Sequence, residues 1–125
     1  MSAQPLHALL MGAVLLSTIA SVPTFAESEK TEPDVHDLYK QCVGAKGSLD
    51  KVFCLEFVSG VARQAFTNGP ALKQPRDFSA CPKSSVSNDV MVDAFSEWAN
   101  RHLDKWSASA QTGVMQAMHD TWPCF

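Results

Sequence analysis

The chain has no excess of basic residues: ten Lys and Arg stand against thirteen Asp and Glu, for a formal charge of −3. Nothing concentrates positive charge to neutralise a phosphate backbone, which argues against nucleic acid as a partner. The cysteines and histidines form no C-x-x-C and no H-x-x-x-H, so the close ligand spacing of a structural zinc site is missing. There is no G-x-S-x-G, no H-E-x-x-H and no glycine-rich phosphate loop, which removes the motif-borne hydrolase and nucleotide chemistries. No segment alternates apolar and polar residues over the length of a strand, and no internal repeat is visible.

Charge is also absent from the beginning of the chain, where the first ionisable acid or base other than His7 is Glu27. Leu6 to Val22 is apolar, and Thr24 and Ala26 put small residues at the third-last and last positions of Pro23-Thr24-Phe25-Ala26. Residues 1–26 therefore read as a secretory signal peptide cleaved near Ala26, although the usual basic start is missing. An uncleaved anchor is the competing reading, since the run reaches the lower limit of a membrane span. No second apolar run follows, and no cysteine sits just after the cut to carry a lipid. Export would deliver residues 27–125 to the periplasm as one domain with a modest core.

What is present is helical periodicity. Residues 27–33 are polar and charged and read as a flexible N-terminal arm. Residues 34–125 then read as a small all-α domain of four helices stapled by two disulfides. Asp34 caps a first helix with the stripe Val35, Leu38, Tyr39, Cys42, ended by Gly44-Ala45-Lys46-Gly47. Ser48 caps a second helix to about Phe66, stopped by Asn68-Gly69-Pro70. Its centre, Cys54-Leu55-Glu56-Phe57-Val58-Ser59-Gly60-Val61, organises the rest. Phe57 and Gly60 are assigned to helix packing, because a mid-helix glycine costs about 1 kcal/mol and calls for the close approach of another helix. A long loop, Ala71 to Lys83, is expected to be pinned by Cys81. Ser87 caps a third helix with Met91, Ala94, Phe95 and Trp98 inside and Val90 beside them. Asn100 to Trp106 connects to a fourth helix, capped by Ser107 or Ser109, with Ala110, Val114, Ala117 and Met118 inside and Pro123 at its end.

Cys42, Cys54, Cys81 and Cys124 make an even count in a short exported domain, which implies two disulfides. Three pairings are open. If the first two helices and the last two are antiparallel, Cys42 meets Cys54 at one hairpin end and Cys81 meets Cys124 at another. That order favours Cys42–Cys54 with Cys81–Cys124.

Catalytic groups are sparse. With the cysteines paired, no thiol nucleophile remains. His36, His102 and His119 are scattered and read as exposed or capping residues near helix ends. Asp93 and Glu97 share a helix face, but Arg101 follows Glu97 at i+4 and predicts a surface ion pair. Glu56 is expected at the core edge beside a Lys or Arg. No catalytic, cofactor-binding or metal residue is assigned, and the protein is read as a non-enzyme. Trp98 and Trp122 fit the core. Trp106 lies in a connector, where two readings stand: an exposed interaction anchor, or a ring folded over the end of the bundle.

The segment Cys54 to Val61, Cys81-Pro82 ahead of Val86-Ser87, and the ending Trp122-Pro123-Cys124 resemble the Rap/Tai family of immunity proteins associated with type VI secretion. The resemblance runs from about Leu38 to Cys124. Phe57 stands where that family often has Tyr, and His102-Leu103 where it often has His-Pro. The resemblance implies an exported, helical, often dimeric protein that neutralises a peptidoglycan amidase toxin by occluding its cleft. The expected partner-binding surface is the connector: Arg101, His102, Lys105 and Trp106. Two alternatives remain from the residues: a general periplasmic binding or stress protein of the same fold, and a small cell-wall hydrolase using Glu56, Asp93 or Glu97.

Overall fold

The computed structural model describes residues 32–71 and 79–124. The expected signal peptide, most of the arm, and most of the loop before Cys81 lie outside the described residues. Four helices are present: α1 Val35–Cys42, α2 Leu49–Ala71, α3 Asn88–Arg101 and α4 Ala110–Thr121, with a one-turn 3-10 segment Leu103–Lys105 between the last two. Among the described residues the only strand-like pairing is an isolated bridge between Asp34 and Ser109.

The caps sit where side-chain chemistry puts them. Asp34 accepts from the Asp37 N–H, Ser87 from Val90 and Ser109 from Thr112, and Ser48 Oγ accepts from Lys51 N at 3.2 Å. Each oxygen satisfies one of the N–H groups that a helix start leaves unpaired. At the other end of α1, Lys51 Nζ donates to the Cys42 carbonyl at 2.6 Å. That sets a cation against the negative end of the helix.

Helix α2 runs past its expected stop, through Asn68-Gly69-Pro70 to Ala71. Pro70 falls in the last turn, where its missing N–H removes a single i→i−4 bond. Gly69 does not end the helix. It lets the returning chain lie flush on it: a Cβ there would collide with the Ala80 carbonyl oxygen and Cys81 Sγ, and Ala80 N donates to Ala65 O at 3.1 Å. The tertiary contact overrides the local propensity.

Gly60 is a second correction. It is exposed, and a Cβ on it would meet nothing within 4 Å, so no helix approaches it. The close approach is made at Gly113 in α4, where a Cβ would strike Val35 of α1. We therefore expect Gly60→Ala to stabilise the fold by about 1 kcal/mol, read as a higher urea midpoint. Gly113→Ala should lower that midpoint. A destabilised Gly60→Ala would mean that this helix face is covered.

All four helices contribute to one core, whose largest fully buried side chains include Phe95, Leu38, Met118, Val58 and Val114. Much of the rest is alanine: Ala62, Ala65, Ala80, Ala99, Ala110 and Ala117 are all fully buried. They let helices approach closely but remove little apolar area from water. Val90, expected beside the α3 stripe, is 47% exposed, and Val92 is buried instead. Both bridges form in the favoured pairing, Cys42–Cys54 and Cys81–Cys124. Each joins the ends of one helical hairpin.

Candidate interaction surfaces

The connector residues come together at one end of the bundle, but they do not present one face. Arg101 and Lys105 are exposed, as is Leu103 between them. Trp106 turns inward. Its indole stacks on His36 of α1 with ring centroids 4.0 Å apart and planes 9° from parallel. Its Nε1 donates to the Ala99 carbonyl at 2.9 Å. The ring thus folds over the bundle end and is half-buried. His102 also has structural partners: it stacks on Trp98 with centroids 4.6 Å apart. Its Nδ1 lies 2.7 Å from the Trp98 carbonyl. A carbonyl only accepts, so Nδ1 carries the proton. His119 Nδ1 meets the Ser79 carbonyl in the same way at 2.8 Å.

The connector backbone is equally engaged. Val35 N donates to Ala108 O at 2.9 Å and His36 N to Trp106 O at 3.1 Å. With Asp37 N on the Asp34 carboxylate, the connector completes the N-terminal hydrogen bonding of α1. Arg101 and Lys105 are thereby displayed on a fixed platform.

Glu56 is exposed on α2 and makes no ion pair among the described residues, which corrects the expected pairing at the core edge. Asp93 and Glu97 are also exposed. The expected Glu97–Arg101 ion pair is not formed. Among the described residues the ion pair present is Lys40–Asp37, at 3.1 Å. The hydrogen bond from the Lys40 ammonium is the main reason the Asp37 carboxyl titrates below its ordinary value. No three His, Cys, Asp or Glu gather as a group that could hold a metal ion among the described residues.

Concavities among the described residues offer further surfaces. A cleft of about 710 Å³ opens between α1 and α2, lined by Pro33, Asp37, Lys40, Gln41, Leu49 and Phe53. Gln41 Oε1 is buried there without a hydrogen-bond partner. Around this end Leu49 is 87% exposed, Val43 57% and Val52 51%. Phe53 stacks on the half-buried Phe57, centroids 5.9 Å apart. The sequence reading missed this patch. Its one signal was that α2 carries apolar residues on more faces than a single core stripe requires. A second groove, about 340 Å³, follows the α3–α4 seam and includes Asp93, Glu97, Trp98, Asp120 and Trp122.

No curated protein and no solved structure matches the chain. A family model described as Rap1a immunity proteins matches residues 34–124, from the cap of α1 to the last bridging cysteine. The chain belongs to this immunity family, and membership implies a toxin-immunity role exercised by binding a protein toxin.

Proposed function

We propose that the protein is a periplasmic immunity protein that binds and occludes a peptidoglycan amidase delivered by type VI secretion. It carries no catalysis of its own. The observation behind this reading is family membership over residues 34–124. The build of the domain supports it: two bridges and a clamped connector hold the exposed side chains in place before binding, which lowers the entropy cost of association. An N-terminal signal peptide, residues 1–26, would bring the chain to the compartment where a cell-wall amidase acts. Arg101 and Lys105 are the exposed connector residues proposed to contact the toxin. The apolar patch of Leu49, Val52 and Phe53 would seat a second copy, because patches of this kind mark association surfaces.

The test is capture followed by inhibition. Tagged, oxidised protein is mixed with native periplasmic and secreted fractions, and the captured protein is purified and assayed on peptidoglycan. Equimolar immunity protein should abolish cleavage by a captured amidase. No capture where secreted toxins are verified to be present, or capture without loss of cleavage, would overturn the reading. A monomeric mass by light scattering at assay concentration would remove the second copy.

A further inference from the structure

The acids of α3 border an aromatic groove. Asp93 and Glu97 line it from α3 and Asp120 from α4, and Trp98 and Trp122 belong to the same lining. Asp120 is held in place: its Oδ2 accepts a 2.9 Å hydrogen bond from Nε1 of Trp98, which is only 3% exposed. Asp93 and Glu97 are exposed and neither engages Arg101. Among the described residues, three carboxylates therefore line one groove whose single Lys or Arg is Arg101, at the end of α3.

The excess of negative charge selects a cation, and the lining selects its kind. The carboxylates are not gathered as a metal-ligand set, which disfavours a compact ion that needs converging oxygens. A guanidinium suits them better. It is flat, its charge is spread over five N–H donors, and it stacks on indole while reaching separate carboxylates. His102 already covers Trp98; Trp122 meets Phe66 edge to face, centroids 5.6 Å apart, and this half-buried indole is the one left with ring surface to stack on.

We infer that the α3–α4 groove receives an arginine side chain of the toxin. The inference rests on the toxin-binding reading above and deepens it. It adds a second contact surface beside the connector, chosen by charge complementarity, which acts chiefly on association rate and specificity.

The experiment has two arms. In the first, methylguanidinium is titrated into the ¹⁵N-labelled, oxidised protein at low salt, and the three indole N–H resonances are followed. Trp122 and Trp98 should shift saturably while Trp106 stays still. The D93N/E97Q double variant removes two exposed charges that make no internal bonds, so it should keep the fold. It should weaken the titration at least about fivefold, the scale of lost exposed charge pairs. In the second arm the same variant is tested on the captured toxin. Association should slow and lose part of its salt dependence, with Glu56→Gln on α2 unchanged. Equal shifts of all three indoles, or shifts unaltered in D93N/E97Q, would overturn the groove. A guanidinium-binding groove whose variant binds toxin normally would overturn its occupant. If the unsubstituted protein captures no toxin, the proposed function and the occupant fail together, and the titration alone decides whether the groove takes a guanidinium.

Discussion

Removing the Cys81–Cys124 bridge, as C81S/C124S, should cost about 4 kcal/mol by the loop-closure entropy of the chain it encloses. The bridged residues are 43 apart in sequence. The Cys42–Cys54 bridge, 12 apart, should contribute about 3 kcal/mol on the same scale. A domain of this size has a total stability of about 5–15 kcal/mol, so either loss takes a large share. The core makes the dependence sharper. Its alanines bury little area, and few large side chains compensate. The longer bridge also holds a local assembly. Cys81 N donates to Trp122 O at 2.8 Å, and the Ala80 carbonyl and the Cys81 sulfur lie against Gly69. Once the covalent tie is gone, this returning segment loses the constraint that keeps it on α2. The check is urea denaturation of the oxidised protein and each double serine variant, by circular dichroism. The ordering should be oxidised, then C42S/C54S, then C81S/C124S. A change below about 1 kcal/mol in both would mean that packing alone carries the fold. Such dependence suits an oxidising compartment, where bridges persist.

The helix starts and the bridge pairing were legible in the sequence for local reasons. A cap is a residue type one position before an apolar period, as Asp34, Ser87 and Ser109 show. The pairing followed from helix order, because hairpin ends bring sequence-distant cysteines together. The glycines were not legible. Gly60, Gly69 and Gly113 all lie in helices, and only the neighbour's position separates an open face from a close approach. The surfaces divide in the same way. Asp93 and Glu97 were visible as a pair at helical spacing. Asp120 joins them only through the α3–α4 packing that puts Trp98 beside it. Arg101 and Glu97 have the spacing of an ion pair, but exposed long side chains gain little from one.

Trp106→Ala should destabilise the protein by about 3 kcal/mol, near the lower end for truncating a buried aromatic ring because this one is half-buried. The side chain joins three parts of the bundle. It stacks on His36, approaches Tyr39 at 5.8 Å between centroids, and bonds to Ala99 at the end of α3. Ala99 O also accepts from His102 N at 3.2 Å, so its carbonyl keeps a partner when the indole is lost. The cost therefore comes mostly from lost packing and a cavity under the connector. Trp106→Phe separates the terms: it retains much of the packing and should lose about 1 kcal/mol for the missing hydrogen bond. This bears on how the connector is tested. Weaker toxin binding by Trp106→Ala would mix a loosened platform with a lost contact. Arg101→Ala and Lys105→Ala change exposed side chains with no internal ion pair, so they should leave the urea midpoint within about 0.5 kcal/mol. A contact surface at the connector requires these two to weaken binding at unchanged stability. Should Trp106→Ala leave stability intact while abolishing binding, the indole would be a direct anchor after all, and the clamp on α1 would owe little to it.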